Sequence, residues 1–237
     1  MKTPYLTALS ITVLFLTCSQ LPAQEPVNGE TLKDLVTTNE QYLPSTNSIP
    51  PADAVILWNG RDLTGWKPVF TNEGLDISKL WFASNRVLHL AGKPNGYLCT
   101  DKQYSNYHLH VEWRWEQTNG NSGVFVFVKP LQNEVWPQAV ECQLKSGNAG
   151  ELLGLGGMSF DAPFVRGRNR AVVTNSSENP IGGWNSYDIY CRGNSVEAWV
   201  NGVKKNHAGK VAVDGGSIAL QFEGRPIEFR NIWLSPL

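Results

Sequence analysis

The sequence predicts an all-β fold, two antiparallel sheets packed as a sandwich or jelly roll. Three observations lead there. Short β-rich runs recur along the chain with Gly, Asn, Asp and Pro between them. Hairpin signals join neighbouring runs, and no amphipathic pattern reaches the ~12 residues expected of a robust helix. In order, the runs are Ala54 to Trp58, bounded by Pro51 and by Asn59-Gly60; Val87 to Leu90; and Tyr107 to Trp115, in which apolar and polar residues alternate. Gly123 to Val128 is β-branched and aromatic, Ala139 to Lys145 follows Pro137, and Ala171 to Thr174 precedes an Asn-Ser stretch. Ser186 to Arg192 and Val196 to Val200 flank Gly193-Asn194 and are followed by Asn201-Gly202. The latter pair is the stronger hairpin signal, because both residues tolerate the positive φ of a type I′ turn. Ser217 to Phe222 and Glu228 to Leu234 complete the set. There is no internal repeat.

The bulk properties fit one exported domain. Met1 and Lys2 precede an apolar stretch from Leu6 to Leu16, and Leu21, Pro22, Ala23 and Gln24 follow. This reads as a signal peptide over residues 1–23: the stretch is shorter than the ~18 residues of a spanning helix, and Ala23 is a small residue at the expected cut. Export to the periplasm or cell surface of a bacterium follows, with no transmembrane span. Lipid anchoring through Cys18 is the weaker alternative, since an acylation site prefers a small residue just before the cysteine. Residues 24–52 are rich in Thr, Asn, Pro and Glu and read as a linker, with at most one helical turn around Thr31 to Leu35; residues 53–237 form the domain. A charged fraction of 17% and a net charge of -1 supply no basic field for nucleic acid. Cys99, Cys142 and Cys191 show no zinc or redox spacing, and a disulfide between two of them is allowed without a preferred pair.

Strand alternation sorts each run into two faces. Val140, Cys142 and Leu144 share one face, and Glu141, Gln143 and Lys145 the other. Ile218, Leu220 and Phe222 point inward, with Ala219, Gln221 and Glu223 opposite. Leu109, Val111, Trp113 and Trp115 separate from His108, His110, Glu112 and Arg114. If these polar faces adjoin in one sheet, they line a groove of carboxylates, amides and cations suited to sugar hydroxyls. A solvated face is the ordinary alternative for each of them. Trp136-Pro137, just before Glu141, offers an aromatic plane for a sugar ring, although a lone Trp is more often core.

Other chemistries find no support. The tract from Gly147 to Gly157 lacks the Gly-Lys-Ser/Thr of a phosphate loop and is expected to form turns or a mobile loop at the groove edge. Neither His-Glu-x-x-His nor Gly-x-Ser-x-Gly occurs, and His207 is expected to be exposed.

The run Trp58-Asn59-Gly60-Arg61-Asp62-Leu63-Thr64-Gly65-Trp66 resembles the opening signature of the 3-keto-disaccharide hydrolase family, also described as 3-keto-glucoside 1,2-lyases and 3-keto-2-hydroxy-glucal hydratases. Further matches follow in the expected order: Gly120-Asn121-Ser122-Gly123, Trp136-Pro137 with Glu141-Cys142-Gln143-Leu144, Gly183-Trp184-Asn185-Ser186-Tyr187, Val200-Asn201-Gly202-Val203, and Leu220-Gln221-Phe222-Glu223-Gly224 leading into Phe229-Arg230-Asn231-Ile232. Many family members carry Asp-His where this chain has Phe222-Glu223, so no histidine role transfers there.

The resemblance implies a concanavalin A-like jelly roll acting on a sugar already oxidised at C3, and hence a functional link to a sugar 3-oxidoreductase. A C3 ketone acidifies the C2 proton; the resulting enolate expels the C1 oxygen, and rehydration completes a net hydrolysis. Such a site needs a base, an acid and a partner for the enolate oxygen. The expected assignments are Glu141 as base, Glu223 as acid, Lys145 or Arg114 at the enolate, and Asn121, Gln143, Gln221 and Trp136 as sugar-binding groups. A divalent ion is an alternative Lewis acid, with no ligand set apparent. Competing readings are a two-carboxylate glycoside hydrolase using Glu141 and Glu223, disfavoured by the lack of a clustered acidic run, and a non-catalytic carbohydrate-binding module.

Overall fold

The computed structural model describes residues 48–70, 74–131, 134–163 and 169–237. The expected signal peptide, its Cys18, and the helical turn around Thr31 to Leu35 lie outside them. Strands β1 (Val55–Ile56), β2 (Trp66–Phe70), β3 (Trp81–Ser84), β4 (Val87–Leu90), β5 (Gly96–Thr100), β6 (Tyr107–Arg114), β7 (Gly123–Lys129) and β8 (Gln138–Gln143) are followed by β9 (Leu152–Leu155), β10 (Arg170–Ala171), β11 (Asn185–Arg192), β12 (Ser195–Val200), β13 (Val203–Ala208), β14 (Ser217–Phe222) and β15 (Ile227–Pro236). Among the described residues the helical content is a short 3-10 segment, Ile77–Lys79, whose first turn is capped by Asp76.

The strands form two antiparallel sheets. Sheet I is 8-stranded, in the order β13-β12-β11-β6-β15-β4-β3, with β1 added alongside β15; sheet II is 7-stranded, in the order β10-β9-β8-β7-β14-β5-β2. Their inner faces meet in one core. Sheet II contributes Leu98, Val124, Val140, Cys142, Leu220 and Phe222, and sheet I contributes Leu88, Leu109, Val111, Trp113, Tyr187 and Phe229. Val140, Cys142, Leu220, Phe222, Leu109, Val111 and Trp113 are inward as alternation predicts, and truncating a side chain such as the fully buried Trp113 would cost ~3–5 kcal/mol.

Local turn chemistry holds the strand ends. Asn201 and Gly202 adopt φ of 51° and 75°, closing the β12–β13 hairpin. The Trp58 to Trp66 signature is structural: Trp58 Nε1 donates to the Arg86 carbonyl at 2.7 Å and Trp66 Nε1 to the Leu57 carbonyl at 2.7 Å, while Asn59 Oδ1 accepts from the Arg61 and Asp62 amides. The tract from Gly147 to Gly157 is turns around a strand, β9, with the closing turn at Gly156 and Gly157 in positive φ. Cys99, Cys142 and Cys191 are free thiols, so neither sheet is cross-linked through them. The last two lie in the core on different sheets.

Sheet I differs from the expectation of one groove. Its outer face carries His108, His110, Glu112 and Arg114, but β6 belongs to the sheet opposite β8 and β14. Arg114 is therefore excluded from the face that holds Glu141, and its guanidinium is bonded to Glu228 instead. A β-bulge at Asn231 (φ 48°) lets β15 present both Arg230 and Asn231 to Glu112 before Ile232 returns to the core. Asp188 Oδ1 lies 2.8 Å from both His108 Nε2 and His110 Nδ1.

These contacts couple folding to pH. Burial alone would raise the Glu112 carboxyl, but His110, Asn231 and Arg230 outweigh it and bring it from 4.5 to about 2. Burial likewise opposes, and His108 and His110 prevail, in lowering Asp188 from 3.8 to about 2. A depressed carboxyl stabilises the fold above its unfolded pKa and ceases to do so as pH falls through the folded value. Urea midpoints are accordingly expected to drop between pH 4.5 and about 2, and to drop less in Asp188→Asn.

Candidate active site

On the outer face of sheet II, cross-strand pairing sets Lys67, Cys99, Ala219, Phe125, Glu141, Leu153 and Arg170 in one row. Directly paired residues share a face, so Glu141 has Phe125 on one side and, beyond Leu153, Arg170 on the other. The neighbouring row brings Tyr97 opposite Gln221 and Gly123 opposite Gln143. Alternation thus placed Glu141, Gln143 and Gln221 correctly together, from strands separated only by β7.

Glu141 is only 4% exposed. Burial, reinforced by the Glu223 carboxylate and opposed by Arg170, pushes its pKa from 4.5 up to about 8. Gly123 makes room for it: a Cβ there would meet Glu141 Oε1 at 2.7 Å and Cγ at 2.8 Å. Gly123→Ala is expected to displace the carboxyl; if Glu141 is the base expected from the sequence, turnover of a 3-keto-glucoside falls by up to ~10²-fold, since small misplacements of a reacting group carry such costs. Comparing kcat with the thermal midpoint of the same variant separates this from a general loss of fold.

Gln221 Nε2 donates to Glu223 Oε2 at 2.8 Å, which holds a second carboxylate on this side of sheet II, near enough to act on Glu141 by its charge, and Gln221 Oε1 is buried without a hydrogen-bond partner. Ser122 Oγ donates to the Gln221 carbonyl at 2.8 Å, and Asn121 bridges to Glu223 and Gly224. The Asn121 Oδ1 atom is also buried and unpartnered. Gln143 Oε1 accepts from the amides of Leu144 (3.0 Å) and Lys145 (2.8 Å), so half of its hydrogen-bonding capacity shapes the end of β8. Asn121, Lys145 and Glu223 line a cleft of ≈ 690 Å³ together with Lys93 and Arg225. Trp136 packs beside Tyr97 (centroids 6.4 Å apart) and Phe125 (6.2 Å), forming an aromatic patch next to Glu141's row.

A model of the 3-keto-alpha-glucoside-1,2-lyase-like domain matches residues 53–235. The chain belongs to this family. Solved structures agree in fold. A candidate glycosyl hydrolase of Parabacteroides distasonis is 24% identical, with 78% of this chain and 94% of that one covered at a TM-score of 0.58. The β-glucanase of Bacillus licheniformis is 10% identical, covering 77% and 96% at 0.53. The carbohydrate-binding module CBM66 of Bacillus subtilis is 9% identical, covering 71% and 93% at 0.50. A comparison with curated protein sequences found no match. The lyase-like domain is therefore a jelly roll of the kind shared by glycosidases and sugar-binding modules.

Sequence reasoning missed two charged residues on this face, Glu151 and Arg170. Glu151, 2% exposed, accepts from Arg170 Nε (2.9 Å) and Nη2 (2.5 Å) and from Asn148 Nδ2 (3.1 Å). This pair places a guanidinium on the same face as Glu141. The period-two pattern Glu151, Leu153, Leu155 was a usable signal for this strand, obscured by the glycines around it. Among the described residues no group of three or more His, Cys, Asp or Glu side chains is arranged to hold a metal ion. What the face does supply is a buried carboxyl, Glu141, raised well above its ordinary range by burial and by Glu223, with a second carboxylate bonded to Gln221 and the Arg170 guanidinium nearby, components that can serve proton transfer.

Proposed function

We propose that this domain cleaves 3-keto-glycosides by removing the C2 proton and eliminating the substituent at C1, with water then adding back to give the free 3-keto sugar. The observation that carries this reading is the Glu141–Glu223 pair on one face, with Glu141 displaced to about 8, close to the working range of a base acting on a carbon acid at neutral pH. Glu141 takes the C2 proton, and the electron pair moves into the C2–C3 bond as the C3 carbonyl becomes an enolate oxygen. That charge returns to expel the C1 oxygen, forming the C1–C2 double bond, and the departing oxygen takes a proton from Glu223. In the second half, Glu223, now ionised, takes a proton from water as the water oxygen adds to C1, and Glu141, its proton exchanged with solvent, delivers one to C2, which resets both groups.

Lys145 is the cation for the enolate, from its position at the cleft that Glu223 lines. Asn121 and Gln221 each bring a buried, unpartnered carbonyl oxygen to orient sugar hydroxyls, and Trp136 offers its ring to the leaving group. An exported enzyme of this kind would work beside an oxidoreductase that makes the C3 ketone, and fractionation should place both activities in one compartment.

The test is NMR of the protein with a 3-keto-glucoside in deuterated water, following aglycone release and deuterium at C2, with and without a chelator and with the unoxidised glucoside in parallel. Release from the keto substrate alone, with deuterium at C2, supports the reading. Release from the unoxidised glucoside would replace it with ordinary glycoside hydrolysis, and binding without release would leave a carbohydrate-binding module.

A further inference from the structure

The outer face of sheet I, on the far side of the sandwich from Glu141, holds a second polar pocket of ≈ 330 Å³ lined by His110, Glu112, Trp184, Ser186, Asp188 and Arg230 among others. Its floor is set by register: Ser186 pairs with Glu112, Glu112 with Arg230, and Asp188 with His110. His110 is 2% exposed, and its Nδ1 engages Asp188. Its Nε2 has no hydrogen-bond partner, since Glu112 Oε1 at 3.7 Å is too distant. The Trp184 Nε1 donor is also buried and unpartnered, while the indole is held in place by the Arg230 guanidinium 4.0 Å and the Arg114 guanidinium 4.8 Å from its ring centre.

Buried polar atoms left without partners carry a desolvation penalty that a bound ligand removes. The charges here pair internally, Glu112 with Arg230 and Asp188 with His110, so the pocket selects for a neutral ligand. The Trp184 indole offers a donor, His110 Nε2 accepts in the neutral ring and donates in the imidazolium, carboxylate acceptors stand beside them, and Asp188 uses only Oδ1 toward the histidines. Hydroxyl groups, which donate and accept at once, satisfy both, and an indole at the wall suits the C–H face of a sugar ring.

We propose that this pocket is a second binding site, for a single neutral pyranose, on the face opposite the catalytic one. It would let the domain hold a glycan by one face while the other acts.

The test is a titration of the ¹⁵N-labelled full chain with methyl α-D-glucopyranoside and its galacto, manno and xylo counterparts, following the Trp184 indole N–H resonance. None of these probes carries the ketone that the proposed reaction requires. A saturable shift is expected with at least one of them, unchanged in Glu141→Gln and weakened at least ~10-fold in Asp188→Asn. Ser186→Leu, which fills the pocket and leaves the Asp188 contacts intact, should weaken it equally, so a folding defect in one variant does not decide the result. No saturable shift with any of the four glycosides, a shift abolished by Glu141→Gln, or a shift indifferent to Ser186→Leu would overturn the proposal. Its failure leaves the lyase reading standing, because that reading is judged on keto-sugar turnover at the other face.

Discussion

Glu141→Gln is expected to lower turnover of a 3-keto-glucoside by ~10²–10⁴-fold, the range for loss of a positioned acid or base, and at the same time to stabilise the protein above neutral pH. The second effect follows from the same burial. In the unfolded chain the carboxyl ionises near 4.5, whereas in the fold it keeps its proton until about 8. Between those values the folded state holds more protons, so stability declines as pH rises, by at most ~1.4 kcal/mol per pH unit for this group. A glutamine carries no charge to bury, so the slope should vanish and the variant should exceed the parent by several kcal/mol at pH 8 in urea titrations. The activity profile carries a sign of its own. If Glu141 is the base proposed, kcat/KM is expected to rise with pH up to about 8 and then level. A fall through that value would reverse the roles of Glu141 and Glu223.

Glu112→Ala should produce the largest loss of stability among the polar positions. Its carboxylate is 2% exposed and accepts from Arg230 Nε at 2.5 Å and Asn231 Nδ2 at 3.0 Å. Removing it breaks a buried ion pair from one side, which costs ~3–5 kcal/mol. For a domain of this size that corresponds to a fall in Tm of roughly 6–20 °C. The double variant Glu112→Ala, Arg230→Met should recover part of the loss, because the penalty lies in breaking the pair from one side. If differential scanning calorimetry finds the single variant within ~1 kcal/mol of the parent, the pair is solvated and contributes little.

The fold class and most inner strands were legible because β-branched and aromatic residues alternate in them without interruption. Several of the overlooked strands sit where such signals are weak. β2 carries Pro68 in its middle, and β13 reads Val-Lys-Lys-Asn-His-Ala; both are sheet edges, where missing donors and charges are tolerated and discourage edge-to-edge pairing. β9 was hidden among glycines.

In the site, alternation correctly grouped Glu141 with Gln143 and Gln221 with Glu223. It failed for Arg114, since a period of two tells which face of its own strand a residue occupies and nothing about which sheet the strand joins. That assignment depends on long-range pairing, here β6 with β11 and β15. The same ignorance of pairing hid Arg170, whose place beside Glu141 depends on β10 joining β9 and β9 joining β8.

The strands that carry the candidate chemistry also carry the core, in strict interleaving: Glu141 lies between Val140 and Cys142, Gln221 between Leu220 and Phe222, and Glu112 between Val111 and Trp113. One inserted residue in β8 would send the acid into hydrocarbon and a thiol to the surface. Insertions and deletions are thereby barred from the very segments that bind and react, and variation in length must be confined to the connections. New specificity in this architecture has to come from exchanging side chains at every second position, or from the loops that border them.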